Sequence, residues 1–113
     1  MSKGRAELGL SEAALLFAAL GDETRLRLLR QLSEAGPASI SEMADNFRVS
    51  RQAVTKHLQF LAVAGLIHGE RFGREHVWAL KPARLAEARR CLKAIARGWD
   101  DALGRLKAQL EDG

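Results

Sequence analysis

Arg51, Gln52, Thr55, Lys56 and Gln59 fall within RQAVTKHLQFLA at separations of one, three and four residues, so in a helix they share one outward arc. The chemistry open to such an arc is recognition of flat polar edges and of phosphate. A guanidinium fork fits guanine O6 and N7, a glutamine amide fits adenine N6 and N7, and a lysine ammonium meets phosphate as a point charge. Arg51 and Gln52, near the helix start, suit base reading, whereas Ser50, Thr55 and Lys56 suit phosphate contacts that fix register without carrying sequence information. Arg71 and Arg74 form a second basic group in RFGREH. By side-chain type alone, the first group fits equally well the solvated face of an ordinary helical hairpin in a small α-domain.

The neighbouring elements favour the first reading. Ala53, Val54, Leu58, Leu61 and Ala62 line the opposite face of the same helix, and Met43, Ala44 and Phe47 pattern a shorter helix before it. Between the two lie Arg48 and Val49, with Ser50 as the N-cap. A helix, a tight turn and a second helix with a basic, amide-rich face is the layout of a helix-turn-helix, whose second helix enters the DNA major groove. Gly65 supplies a left-handed stop, and the chain then changes period. LIHGERFGREHVWAL reads as a β-hairpin turning at Gly73, with Leu66, Ile67, Val77 and Leu80 towards the core and Arg71, Arg74 and Glu75 at the tip. A bare helical hairpin gives no reason for that addition, whereas a winged helix requires it. The expected fold is mainly α with a small β-hairpin wing, in the order α-α-(β)-α-α-β-β-α.

The remaining segments supply a scaffold. Residues 1–10 read as a flexible arm and residues 11–113 as one winged helix-turn-helix domain. Ser11 starts a helix with Leu10 as a hydrophobic staple, Leu16, Phe17 and Leu20 share its apolar side, and Gly21 ends it. Asp22 caps a second helix whose buried stripe is read as Leu26, Leu29 and Leu32, with Arg25, Arg27 and Arg30 on its other faces. Gly36-Pro37 closes that helix, and Ala38-Ser39-Ile40 forms a short extended link before Ser39 or Ser41 caps the next, Ser39 making a capping box with Glu42. Pro82 suits the first turn of a long last helix. From Leu85 its apolar positions continue through Leu92, Ile95, Trp99, Leu103, Leu106 and Leu110, a stripe longer than one small core needs, so its distal part is expected to pack on a second copy of the chain. Gly98 and Gly104 weaken that helix by ~1 kcal/mol each relative to alanine and call for a bend or a close helix approach.

Composition narrows the function classes. A chain of 113 residues with 47% hydrophobic and 28% charged residues suits one soluble core. No apolar run approaches the ~20 residues of a membrane span, and the first residues lack an export signal, so a cytoplasmic location is expected. The net charge is +4, and most of it sits in one quarter of the chain, where Arg48, Arg51, Lys56, Arg71 and Arg74 face only Glu70 and Glu75. His57, His68 and His76 lie in the same quarter. His57 sits at the buried edge of its helix and fits a structural or a functional role. The one cysteine, Cys91, makes neither an intrachain disulfide nor a multi-thiolate metal site. There is no Gly-rich phosphate loop and no nucleophile–base motif, so no enzyme and no cofactor is expected.

LFAALGDETRLRLLRQL, SRQAVTKHLQFLAVAGLI and GREHVWAL, in that order and spacing, resemble the ArsR/SmtB family of winged-helix repressors over roughly residues 11 to 110. The resemblance implies a homodimer built from the first and last helices, with Leu16, Phe17, Leu92, Ile95, Trp99, Leu103, Leu106 and Leu110 at its interface. It also implies binding of double-stranded DNA at an inverted-repeat operator. Ser50, Arg51, Gln52, Thr55 and Lys56 would meet the DNA, and Arg71 and Arg74 on the wing would reach the flanking backbone or minor groove. The chain departs from the family's metal sensors, since SISEMADN holds no cysteine pair, no histidine follows Pro82, and Asp100 and Asp101 are adjacent and point apart. No metal site is expected. The alternative is a ligand- or redox-responsive sensor with its effector at the dimer interface or at Cys91, which Arg89 and Arg90 flank.

Overall fold

The computed structural model describes residues 8–112. Five helices and three strands follow in the order α1 (Leu10–Leu20), α2 (Glu23–Ala35), β1 (Ala38–Ser39), α3 (Ile40–Phe47), α4 (Arg51–Val63), β2 (Ile67–Phe72), β3 (Glu75–Leu80) and α5 (Pro82–Asp112). The strands form one antiparallel sheet in the order β1-β3-β2. This is a winged helix-turn-helix, with the short extended link at Ala38 and Ser39 recruited as the third strand.

Most element boundaries follow from local chemistry. Asp22 accepts the Arg25 amide at 3.0 Å and starts α2. Ser39 Oγ accepts the Glu42 amide while Glu42 Oε1 accepts the Ser39 amide, closing the expected capping box on α3. Ser50 Oγ accepts the Ala53 amide at 3.0 Å and starts α4. At the start of α1 the structure corrects the reading. Glu12 Oε1 accepts the Gly9 amide, so Gly9 rather than Ser11 is the N-cap and the helix already includes Leu10. Leu10 is an exposed helical residue and not a staple, while Leu8 packs on the core. Of the expected arm, Leu8, Gly9 and Leu10 belong to the folded part, and residues 1–7 lie outside the described residues.

α4 ends in a Schellman motif: the Gly65 amide donates to the Ala62 carbonyl at 2.9 Å and the Leu66 amide to the Leu61 carbonyl at 3.0 Å, with Gly65 at φ 82°. A side chain at Gly65 would also strike the Arg84 guanidinium. Leu66 is fully buried, and its carbonyl accepts the Lys81 amide at 2.8 Å, so one residue joins the end of α4, the start of the hairpin and the entry to α5.

The core is one cluster, drawn chiefly from Leu16, Ala19, Leu28, Leu29, Leu32, Met43, Val54, Leu58, Leu61, Leu66, Ile67 and Trp78. On α2 the buried row is Leu28, Leu29 and Leu32, and Leu26 is about half exposed. The helix is covered by α1 on one side and by α4 and β3 on others, which turns its buried arc away from Leu26. On β3 the inward residue is Trp78, not Val77. Val77 and Leu80 are three apart and cannot share a face of a strand, whereas Trp78 and Leu80 can. The His76 ring stacks on Trp78 with centroids 4.7 Å apart, and Trp78 lies across from Gly69, where a side chain would collide with the His76 ring and crowd Trp78.

α5 runs 31 residues without interruption, about 46 Å at the usual helical rise. Within the protomer its first turns meet α1, and Ala88 is its only buried residue. Gly98 and Gly104 have open space around them, with no neighbour within 4 Å of an added Cβ.

Candidate nucleic-acid interface

The helix-turn-helix is assembled around a tight left-handed turn. Arg48 adopts φ 54° and ψ 42°, an unusual conformation for a residue with a side chain, and closes α3 without a glycine. The Val49 amide bonds back to the Ala44 carbonyl at 3.3 Å. The turn is short, and Ser50 starts α4 immediately after it.

On α4, Val54, Leu58 and Leu61 are fully buried, which turns Arg51, Gln52, Lys56 and Gln59 outwards. Among the described residues these four side chains form no hydrogen bond or ion pair, so their donors remain available. Ser50 uses an oxygen lone pair for its cap and keeps its hydroxyl proton for a phosphate oxygen. Thr55 is half-buried, and its hydroxyl donates to the Arg51 carbonyl at 2.7 Å. It must turn from that bond before donating to phosphate. Gln59, one turn beyond Thr55 and Lys56, belongs to the same arc, and its outward placement was already visible in the helical spacing.

The wing carries Arg71 and Arg74 close to its tip, both exposed. Arg71 pairs with His76 across the ladder, and Arg74 occupies the two-residue turn with Gly73, whose φ is 65°. Phe72 beside them is 60% exposed. Its place at the tip is set by register: a hairpin turning at Gly73 must put residue 72 in the last pair, a signal that sequence reasoning passed over.

Three comparisons bear on this geometry. A helix-turn-helix domain model matches residues 20–70. The transcriptional repressor SmtB of Mycobacterium tuberculosis is 34% identical over 94 residues, spanning 83% of this chain and 67% of that protein. A solved ArsR-like transcriptional regulator from Rhodococcus superposes with a TM-score of 0.78 at 39% identity, over 86% of this chain and 91% of that one. The chain belongs to the ArsR/SmtB family of winged helix-turn-helix regulators. Its α3–turn–α4 unit lies within the matched helix-turn-helix domain, and the chain is a DNA-binding transcriptional regulator. A winged helix-turn-helix domain from Mycobacterium bovis, described as homodimeric, shares the fold with a TM-score of 0.62 at 21% identity, covering 83% of each chain.

α1 and α5 pack against each other. Leu92, Ile95, Trp99, Leu103, Leu106 and Leu110 are all exposed in the protomer, Trp99 to 64%. Leu16, expected among them, is instead 1% exposed and packed in its own core, so it offers no surface to a partner. Its neighbour Leu15 is 38% exposed, and Phe17 is half-buried. Cys91 is half-buried on α5, one turn before Ile95. Among the described residues no three His, Cys, Asp or Glu side chains gather closely enough to hold a metal ion, and no helix is long and apolar enough to cross a membrane.

His57 proves to be tied to the scaffold. Its Nδ1 lies 3.4 Å from Arg25 Nη1 and 3.8 Å from Asp22 Oδ2. Asp22 is held below the usual carboxylate range, first by the hydrogen bond from the Arg25 amide and then by the positive charge of Arg25.

Proposed function

We propose that this regulator acts as a homodimeric, sequence-specific repressor of an inverted-repeat operator and takes no metal effector. The observation that carries the reading is the outward arc of α4, where Arg51, Gln52 and Lys56 are exposed and leave their donors unpaired, with two further exposed arginines at the wing tip. Arg51 and Gln52 read base edges, Ser50, Thr55 and Lys56 grip phosphates, and Arg71 and Arg74 hold the flanking backbone or minor groove. The exposed stripe of α5 is the surface a second copy would cover, since six large apolar side chains in one row are otherwise left in water. The homodimeric relative with the same fold supports that assignment. Two copies related by a two-fold axis would set their recognition helices about 34 Å apart, in successive major grooves. The absence of metal control rests on the sequence: no cysteine pair near α3 and no histidine on α5.

Fluorescence anisotropy with the protein's upstream DNA tests the reading. Arg51→Ala with Gln52→Ala removes two bidentate pairs of about 1–3 kcal/mol each, so the preference for specific over random DNA should fall at least tenfold. An unchanged preference in the double variant would refute the assigned readout.

A further inference from the structure

Arg25 lies one turn into α2, yet its guanidinium does not follow the helix surface into solvent. Nε donates to the Ala19 carbonyl at 2.8 Å and Nη2 to the Ala18 carbonyl at 3.1 Å, both in the last turn of α1. The Ala19 carbonyl is one that a helix end leaves without an intrahelical partner, and the Ala18 carbonyl also accepts the Gly21 amide at 3.1 Å. Nη1 points the other way, 3.4 Å from His57 Nδ1 on α4, and the guanidinium carbon sits 4.1 Å over the Phe60 ring. One planar group thus touches the C-terminus of α1 through two nitrogens and the recognition helix through the third nitrogen and its face. Asp22 completes the cluster, accepting the Arg25 amide and lying 3.8 Å from the same His57 nitrogen.

The placement on α4 matters. His57 and Phe60 are three residues apart, hence neighbours on one flank, with His57 half-buried and Phe60 37% exposed beneath the Arg25 guanidinium, at the border between the buried face and the outward arc of Gln52, Lys56 and Gln59. Holding the flank fixes the rotation of α4 about its own axis. The other end of the clamp is α1, which packs on α5. We propose that Arg25 is a positioning residue that locks the recognition helix to the α1–α5 layer, and that through this lock it sets the half-site spacing the dimer accepts. The inference rests on the dimeric, operator-binding reading above. In that dimer α1 and α5 define the two-fold axis, so any freedom of α4 relative to α1 becomes freedom in the separation and phase of the two reading helices. Each base pair added between half-sites moves them about 3.4 Å apart and turns them about 35°, from a repeat of 10–10.5 base pairs per turn. A rigid link rejects that change, and a loose one absorbs part of it.

The test uses the full chain and three duplexes: the operator selected by the wild-type protein, and the same half-sites with the spacer shortened or lengthened by one base pair. Arg25→Lys keeps the charge but loses the fork. Phe60→Leu removes the aromatic face and leaves the bonds to α1 in place, so it serves if the lysine variant folds poorly. Arg30→Ala, exposed on the same helix, is the control. Wild type and control should favour the selected spacing by at least about tenfold, a discrimination comparable with a mismatched base pair, and both variants should flatten it to within about threefold. Variants that lose affinity equally on all three duplexes, with the spacing ratio intact, would overturn the inference while leaving the operator reading in place. A wild-type protein that selects no paired half-sites would overturn the operator reading and this link with it.

Discussion

Ser50 Oγ accepts the Ala53 amide at 3.0 Å, so the hydroxyl that starts α4 is the one the proposed function sets against phosphate. The two roles separate by substitution. Aspartate caps a helix as well as serine does, whereas alanine loses about 0.5–2 kcal/mol. Ser50→Asp should therefore melt close to wild type by circular dichroism and bind DNA much more weakly, because it sets a negative charge against phosphate. Ser50→Ala should lower the melting temperature by several degrees. Equal DNA affinity in Ser50→Asp and wild type would remove Ser50 from the interface.

Lys56 is assigned to phosphate and not to bases. Lys56→Ala should weaken binding to specific and random duplexes alike and reduce the slope of log K against log salt by about one. Titrations at several salt concentrations give that slope. A sequence-selective loss would move Lys56 into the base-reading set.

Acid stability should depend on Asp22. Its folded pKa lies below the ordinary value of 3.8, through the Arg25 amide and charge, so its ionised form favours the folded state. That contribution is complete above the unfolded pKa and disappears as pH falls through the lower, folded value. Urea melts of Asp22→Asn should show lower stability than wild type near neutral pH and a smaller decline below pH 4. Parallel pH profiles for the two proteins would contradict the assignment.

Leu106 on α5 is 50% exposed and distant from the protomer core. Leu106→Glu should leave the core fold intact by circular dichroism, since no buried contact is lost, and shift the protein from dimer to monomer in sedimentation velocity. Affinity for a full inverted repeat should then fall towards that of a single half-site. A variant that remains dimeric would place the interface elsewhere.

Local chemistry made much of the fold readable before any coordinates. Asp22, Ser39 and Ser50 cap where their side chains allow, Gly65 takes the left-handed stop, and Pro82 opens α5. These features depend on residues a few positions apart, and sequence carries such information directly. Burial depends on what lies across the gap, and there the reading slipped. Leu26 and Leu28 are equally apolar, and only the packing of α1, α4 and β3 on α2 decides between them. The family resemblance places Leu16 at the dimer interface, since it assigns α1 to that interface without saying which of its apolar residues the chain's own core covers. The outward arc of α4 was legible because its buried face is. Arg25 was not, because its partners lie six, seven and 32 positions away.

Leu66 gives the binding unit a mechanical character. Its amide finishes α4, its buried side chain roots the hairpin, and its carbonyl receives the chain returning to α5 at Lys81. A shift of the wing root relative to the end of α4 would therefore have to break one of these two backbone bonds or expose the Leu66 side chain. On the proposed reading, new operator preferences are expected from exchanged side chains on α4 and the wing tip and not from re-aiming the wing against a stationary helix.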